Sequence, residues 1–224
     1  VNIAMSLRIG VVGLGRGVSL LSVFQVLPEC KVTAVCEQKL DTARNFAEAN
    51  QIPQWYDNLE ELLTSDIDVV VVATPPPVHT KHCIQALQAG KHVMSEVPAV
   101  WTLEEGKTLA EAVEASGRKY MFAENMNYMG FLQTFDKIVK AGRIGEPYYA
   151  EAEYIHDCRF LMTARPDGIT PGSETGRTWR AYMPPIHYCT HSLGPLLQIM
   201  DDRIVSATGL NTGPRLGAAT ETID

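Results

Sequence analysis

Glycines and an acid near the start of the chain have the types and spacing of a nucleotide-binding site. An apolar run over residues 7–13 leads into Gly13, Gly15 and Gly17, and a helical pattern follows. In that context the first glycine permits a tight turn, and the second lets the backbone approach a pyrophosphate at the helix N-terminus. Glu37 ends the next apolar run, where a carboxylate suits the ribose hydroxyls of NAD and repels the extra phosphate of NADP. We therefore predict an NAD site.

The phosphate loop departs from the usual glycine pattern at its third position, which is Val18. A glycine there normally lets the helix pack closely on the strand. We expect Gly17 to take that part, with a turn shifted by one residue, and we expect Arg16 to join the cofactor contacts. The alternative for Glu37 is a solvated acid at a strand end, without a ligand.

Groups suited to proton transfer come in the second half of the chain. His191 is the strongest candidate for a catalytic base, because imidazole titrates near neutral pH. Tyr188 lies three residues before it. Tyr154 and His156 share one face of a predicted strand, because side chains alternate along a strand with period two. His156 could instead form a structural hydrogen-bonded pair with Asp157.

An aromatic and basic segment before His191 has the residue types that bind sugars. Trp179 could stack on the apolar face of a sugar while Arg177 and Arg180 bind its hydroxyl groups, and an ordinary surface loop is the alternative. His187 and His191 are four residues apart, which on one helix would suit a metal ion. Two prolines just before them argue against such a helix, and no third ligand is evident, so we predict no metal site.

Alternating elements must position these groups over the first part of the chain. Short β-branched runs that are apolar throughout, as in strands covered on both faces, alternate with helical patterns. This order predicts a parallel, doubly wound sheet, and Glu124 ends its last strand, on the edge where ligands of such sheets lie. The predicted strands are 7–13, 31–37, 68–74, 92–96 and 119–124, and the predicted helices are 19–27, 40–50, 59–64, 79–89 and 103–116.

The pattern changes after residue 125, which predicts two domains, 1–125 and 126–224. The predicted elements of the second domain are a helix over 131–141, a strand over 147–156, a helix over 191–200 and a strand over 204–210.

Composition excludes several classes of protein. The formal net charge is −7 and no block of basic residues is present, so we expect neither nucleic acid nor an anionic membrane as a partner. No apolar run approaches the roughly 18 residues that a membrane span requires. The five cysteines are odd in number and form no CxxC pair, which disfavours structural zinc and a disulfide framework, and we expect them to be small buried hydrophobic residues. We predict a cytoplasmic protein.

Two further segments carry a family resemblance. Residues 73–79 read ATPPPVH and residues 89–98 read AGKHVMSEVP. Together they resemble the glucose-fructose oxidoreductase / inositol dehydrogenase / MocA family, whose members carry an ATPxxxH turn, then GKHV and a Glu-Lys-Pro motif. The resemblance implies a Rossmann domain followed by an α/β domain with an open, largely antiparallel sheet, through which members usually form homo-oligomers. It also implies substrates of the sugar and polyol class, and cofactor contacts at Thr74, Pro75, His79, Glu96, Val97 and Asn125.

One position departs from the family motif. The lysine of Glu-Lys-Pro approaches the nicotinamide in the family and often assists proton transfer, whereas Val97 stands here and cannot carry a proton. This substitution puts the usual dehydrogenase mechanism in doubt.

A narrower resemblance fits the substitution. The segments EVPA at 96–99, ENMNY at 124–128, YIHD at 154–157 and YCTHSLGP at 188–195 are similar to those of the NAD-dependent α-N-acetylgalactosaminidases. That branch uses NAD without net redox change: it oxidises a ring carbon, eliminates the anomeric substituent, adds water and returns the hydride. The resemblance implies functional positions at Glu124, Tyr154, Tyr188 and His191.

The sequence therefore predicts an NAD-dependent oxidoreductase-family enzyme that acts on a sugar or sugar derivative by hydride transfer at a ring carbon. A redox-neutral glycoside hydrolase is the first alternative. A non-catalytic NAD(P)-binding regulator, as some relatives of the family are, is the second. The resemblance also implies more strands than the second domain contains, so we expect that domain to be truncated.

Overall fold

The computed structural model describes residues 6–162 and 178–210. Contacts divide the chain into two compact units, Val1–Ala123 and Glu124–Asp224. Each unit is described by itself below.

The first unit is built on six parallel strands in the order β3-β2-β1-β4-β5-β6. The strands are β1 (Leu7–Val12), β2 (Cys30–Cys36), β3 (Gln54–Tyr56), β4 (Val69–Val72), β5 (His92–Ser95) and β6 (Tyr120–Phe122). The helices that connect them are α1 (Gly17–Phe24), α2 (Leu40–Ala49), α3 (Leu59–Thr64), α4 (Pro76–Gln88) and α5 (Leu103–Ser116).

The core of this unit explains the apolar strands. In β4, Val70, Val71 and Val72 have no exposed surface, because successive side chains enter the two hydrophobic clusters on opposite faces of the sheet. The predicted α/β class with a doubly wound parallel sheet is therefore confirmed. Strand β3 was missed, since it has only three residues and two of them are aromatic side chains that are only partly buried.

The second unit contains two α-helices among its described residues, α6 (Gly130–Lys140) and α7 (Thr190–Met200). Single 3₁₀ turns precede each helix, Asn125–Tyr128 before α6 and Pro185–Tyr188 before α7, and another spans Trp179–Tyr182. Because His187 lies in the 3₁₀ turn and His191 in α7, the two histidines do not share one helix.

The strands predicted over 147–156 and 204–210 are wrong for the described structure, where both segments lack regular secondary structure. Their apolar side chains are exposed, including Tyr148 at 96%, Ile155 at 89% and Val205 at 88%. A strand needs a hydrogen-bonded neighbour, and neither segment has one among the described residues. The open antiparallel sheet of the second domain therefore stays a prediction.

No helix in the described part of the chain is long and apolar enough to span a membrane. The same residues contain no group of three or more His, Cys, Asp or Glu side chains that could hold a metal ion.

Candidate functional site

The turn between β1 and α1 requires glycine at its first position. Gly13 has a φ of 89°, and a Cβ there would lie 2.7 Å from the carbonyl oxygen of Ala73. Its N–H donates to the carbonyl of Cys36 at 2.9 Å, which fixes the turn against β2. A Cβ on Gly15 would have no atom within 4 Å, so this side of the loop is open. The turn thus leaves backbone exposed where a phosphate could approach.

Gly17 makes the close helix–strand contact of this loop. It is the first residue of α1, and a Cβ on it would lie 2.8 Å from Cγ1 of Val11. Val18 is 39% exposed and does not take part in this contact. The packing expected of a third glycine therefore falls at position 17.

The carboxylate of Glu37 lies beside the glycine loop. Its Oε2 accepts a hydrogen bond from the N–H of Leu14 at 2.9 Å, and its Oε1 accepts one from the N–H of Gln38 at 2.9 Å. Each oxygen keeps a second lone pair, so the fixed carboxylate can still accept from ribose hydroxyls. A tight glycine turn, an open loop, a helix N-terminus and this acid together fit a dinucleotide.

An ion pair joins two loops at the carboxyl edge of the sheet. Nε of Arg16 lies 2.8 Å from Oε1 of Glu96, whose side chain is only 8% exposed. The other oxygen, Oε2, accepts from the N–H of Val97 at 3.1 Å. The pair ties the phosphate loop after β1 to the segment after β5, and it neutralises a carboxylate that burial would otherwise penalise. Val97 is buried at 7% exposure.

Two histidines of α4 contact the segments that follow β4 and β5. His82 Nδ1 lies 3.0 Å from Oγ1 of Thr74, and burial lowers the pKa of His82 to about 4. Pro75 is the N-cap residue of α4. His79 is 1% exposed, with Nδ1 3.2 Å from the carbonyl oxygen of Pro98, and burial lowers its pKa. His79 is therefore neutral and links α4 to the loop after β5.

The second unit brings an acid and an imidazole together. Nδ1 of His191 lies 2.6 Å from Oε1 of Glu124, and the two residues are 8% and 5% exposed. The same oxygen accepts from the N–H of Met126 at 3.0 Å, so the carboxylate is fixed by the backbone as well. Oε2 of Glu124 is buried and has no hydrogen-bond partner. An imidazole held this way by a carboxylate has a fixed ring orientation, and its Nε2 is the ring nitrogen that does not face the carboxylate.

A glycine permits this close approach. His191 lies in the first turn of α7, and Gly194 faces the 3₁₀ turn after Glu124. A Cβ at Gly194 would lie 2.8 Å from Oδ1 of Asn127 and 2.9 Å from Cγ of Glu124. Neither Gly194 nor Asn127 is among the predicted site residues, because nothing in the local sequence distinguishes a packing glycine inside a helix.

Two tyrosine rings lie against the imidazole. The ring centroids of Tyr154 and Tyr188 lie 4.8 Å and 4.9 Å from that of His191, and 6.0 Å from each other. Burial raises the pKa of Tyr154, and the neighbouring Tyr188 raises it further. Tyr154 is therefore a neutral phenol at neutral pH. The structure thus brings together Glu124, Tyr154, Tyr188 and His191, which the sequence predicted as one set.

Side chains predicted for sugar binding border this cluster. The guanidinium of Arg180 lies 4.7 Å from the ring centroid of Trp179 and 5.3 Å from that of Tyr188. His156 packs edge-on against Tyr154 at 5.9 Å. Arg177 lies outside the described residues, and Asn125, predicted to contact the cofactor, is exposed in the 3₁₀ turn after Glu124.

The expectation that all five cysteines are buried is wrong. Cys36 and Cys83 are buried, but Cys30 and Cys158 are partly exposed and Cys189 is exposed. Cys158 lies beside His156, with Sγ 3.3 Å from Nδ1. The expectation followed from residue type alone, and Cys158 lies in a segment without regular secondary structure.

Residues 7–124 match the family model GFO_IDH_MocA, described as "Oxidoreductase family, NAD-binding Rossmann fold". The chain belongs to this family. The match covers more than half of the chain and includes the glycine loop, Glu37 and the segments after β4 and β5. NAD is therefore the cofactor of the first unit.

Two curated relatives share one name. A glycosyl hydrolase family 109 protein of Saccharopolyspora erythraea is 32% identical over an alignment of 229 positions, which covers 96% of this chain and 49% of that protein. A glycosyl hydrolase family 109 protein of Shewanella pealeana is 31% identical over 95% of this chain and 49% of its own length. The chain thus spans about half the length of the curated relatives it matches.

Solved structures share the fold. A probable dehydrogenase from Thermotoga maritima superposes with a TM-score of 0.69 at 20% identity, over 88% of this chain and 56% of that chain. The WlbA dehydrogenase from Bordetella pertussis, in complex with NADH and UDP-GlcNAcA, gives a TM-score of 0.58 at 26% identity, over 63% of this chain and 44% of that chain.

Proposed function

We propose that this chain carries the cofactor-binding and proton-transfer parts of an NAD-dependent enzyme that acts on a sugar or sugar derivative at a ring carbon. The observation that carries the proposal is the contact of 2.6 Å between His191 and Glu124, against which the rings of Tyr154 and Tyr188 lie. Family membership supplies the cofactor. The first part of the chain, residues 1–125, is proposed to bind the cofactor, and the second part, residues 126–224, to bind the substrate.

His191 is the proposed base. When bound, NAD supplies reversible hydride transfer with a carbon of the substrate. Oxidation at that carbon releases the proton of its hydroxyl group, which needs an acceptor. Because Nδ1 of His191 faces Glu124, Nε2 is the atom that takes the proton, and the carboxylate stabilises the imidazolium that forms. Glu124 acts through His191 and is a positioning residue in this step.

The other side chains in and around the cluster have complementary roles. Tyr154 is protonated and is the proposed donor to a substrate oxygen. Tyr188 and Trp179 offer ring faces to apolar sugar carbons, and Arg180 and His156 offer donors to hydroxyl groups. A sugar has both surfaces, since its ring carbons are apolar on one face and its hydroxyls project around the edge.

The cofactor contacts are proposed from the first unit and the start of the second. The glycine turn and the N-terminus of α1 receive the pyrophosphate, and Glu37 receives the ribose. Glu96 and Val97 lie in the segment after β5, and His79 links α4 to Pro98 of the same segment. The proposed contacts are Gly13, Gly15, Arg16, Gly17, Glu37, Thr74, Pro75, His79, Glu96, Val97 and Asn125.

A second candidate function is redox-neutral glycoside hydrolysis. Val97 has no proton to transfer, which leaves proton transfer to the His191 cluster, and such chemistry needs several acid–base groups there. The relatives named glycosyl hydrolase family 109 also favour it. In this case a base of the cluster would remove the carbon-bound proton, and Tyr154, as a proton donor, would assist the departure of the anomeric substituent.

One assay set separates the candidates. The protein is offered free sugars and aryl glycosides with NAD, while NADH absorbance and aryl-group release are followed. Steady NADH formation identifies a dehydrogenase, and aryl release without accumulated NADH identifies the glycosidase. Tight NAD binding with neither signal contradicts both and favours a non-catalytic regulator.

We further propose a cytoplasmic homo-oligomer that associates through the second part of the chain and binds no nucleic acid. The net charge of −7 supports the last point, because a nucleic-acid partner would be repelled. Light scattering after size-exclusion chromatography measures the oligomeric state, and a single protomer mass would contradict the assembly. Cell fractionation measures the location.

A further inference from the structure

Two side chains of the second unit, those of His156 and Arg180, meet at the sulfur of Cys158. Nδ1 of His156 lies 3.3 Å from Sγ, and Nη1 of Arg180 donates to Sγ at 3.9 Å. Cys158 is partly exposed, so a small molecule can reach it from solvent. The role proposed above for the second unit leaves this thiol unused.

This arrangement suits a nucleophilic thiol. An imidazole beside a thiol can take its proton as the sulfur attacks, and a guanidinium stabilises the negative charge that develops on sulfur. Arg180 is well placed to do so, because its guanidinium is stacked over Trp179 at 4.7 Å and over Tyr188 at 5.3 Å. Its position therefore does not depend on the thiol alone.

Among the described residues, no cysteine other than Cys158, including the partly exposed Cys30, has a histidine and an arginine within hydrogen-bond distance of its sulfur. Burial raises the pKa of Cys83 to about 11 and that of Cys36 to about 12, and both residues are shielded from solvent. Cys189 is more exposed than Cys158, but among the described residues its sulfur makes no hydrogen bond with a histidine or an arginine. Cys189 is thus the more exposed of the two, whereas Cys158 is the one with a histidine and an arginine beside its sulfur.

We propose that Cys158 is a modification site that undergoes thiol–disulfide exchange with low-molecular-weight disulfides. The sulfur of Cys158 attacks one sulfur of the disulfide, a new S–S bond forms, and the old S–S bond breaks. The thiol proton passes to His156 and then to the departing thiolate, so Cys158 is oxidised and the leaving thiol is reduced. The attached group lies next to His156 and Arg180, two side chains proposed above for sugar binding.

The test is a competition between cysteines of one sample. The protein is incubated with limiting glutathione disulfide at neutral pH, and the mixed disulfide on each cysteine peptide is quantified by mass spectrometry over time. We expect Cys158 to be modified about tenfold faster than Cys189, although Cys189 is more exposed. Equal rates, or faster modification of Cys189, would overturn the proposal whatever the enzyme's activity proves to be.

A variant tests the part of the imidazole. His156→Gln keeps a polar side chain but cannot take the proton, so modification of Cys158 should slow about tenfold while that of Cys189 stays unchanged. An unchanged rate at Cys158 contradicts the role of His156. Cys36 and Cys83 report on folding in the same sample, because they react only if the variant unfolds, and the wild-type ratio decides the site independently of the variant.

Discussion

Gly194 lies so close to Glu124 that a Cβ on the glycine would stand 2.9 Å from Cγ of the acid. This contact lets α7 approach the 3₁₀ turn after Glu124 and sets the distance of 2.6 Å between Glu124 and His191. The acid–base pair thus depends on a residue that carries no chemistry of its own.

Gly194→Ala should separate the pair. The added methyl group must displace Glu124 or Asn127, and such overpacking typically costs about 1–3 kcal/mol. We expect a lower free energy of unfolding in urea and a larger fractional loss of turnover than of NAD affinity. Gly130→Ala is the matched control, since a Cβ there meets nothing within 4 Å, and it should change neither quantity. Equal behaviour of the two variants would contradict the packing role of Gly194.

Glu124→Gln should impair catalysis more than folding. The amide keeps the shape of the side chain and its contact with the N–H of Met126, but it cannot stabilise an imidazolium at His191. We expect kcat to fall about a hundredfold, with NAD affinity unchanged by isothermal titration calorimetry. A variant that keeps wild-type kcat would show that the carboxylate has no part in proton transfer.

Gly13→Ala should lower stability, whereas Gly15→Ala should lower NAD affinity. At Gly13 the positive φ and the contact of 2.7 Å with the carbonyl of Ala73 make any side chain costly, so unfolding should become easier by about 1–3 kcal/mol. At Gly15 a methyl group meets no protein atom, so stability should be unchanged, whereas NAD affinity should fall because the methyl group fills the open side of the loop. Calorimetric titration and urea unfolding of both variants measure the two effects. If Gly15→Ala binds NAD normally, the pyrophosphate does not approach there.

Glu37→Ala should alter the choice of cofactor. Removal of the carboxylate takes away an acceptor for the ribose hydroxyls and the charge that repels the phosphate of NADP. We expect weaker NAD binding and a smaller preference over NADP, by about tenfold in the ratio of dissociation constants. An unchanged ratio would remove Glu37 from the ribose site.

Acid should weaken the ion pair between Arg8 and Asp68 at the start of the sheet. Arg8 donates hydrogen bonds to Asp68 at 2.7 Å and 2.9 Å, and these lower the pKa of Asp68 to about 2. Because the pKa is lower in the folded state than in the unfolded state, this stabilisation is present above pH about 4 and is lost as pH falls through about 2. Asp68→Asn should therefore be less stable than wild type at neutral pH and converge with it near pH 2. If the difference in the free energy of unfolding between wild type and Asp68→Asn widened in acid, the proposed stabilisation by the Asp68 carboxylate would be contradicted.

Local signals explain which elements the sequence could predict. The bounds of α3 and α5 agree with the prediction because each helix begins at a side-chain cap, Asn58 or the Thr102–Glu105 capping box. Gly117, with a φ of 61°, ends α5. Strand pairing is not local, which is why the segment over 147–156 has a strand-like pattern but no strand.

The residues of the candidate site also divide into those that local spacing predicts and those that only tertiary contacts bring together. The glycine loop and Glu37 follow from spacing, because they lie within one strand–helix–strand unit. Glu124 and His191 are 67 residues apart, and only the family resemblance joined them before the structure did. The contacts of Gly194 and of Cys158 depend on tertiary packing, for which no spacing rule exists.

The most direct test of the account is a single-turnover experiment on His191→Asn. Wild-type protein loaded with NAD is mixed with an excess of sugar substrate, and the absorbance of NADH is followed by stopped flow. The account predicts NADH formation in wild type, transient or lasting, and none in the variant, although both bind NAD equally in calorimetric titration. NADH formation at the wild-type rate in His191→Asn would contradict the role of His191 as the base.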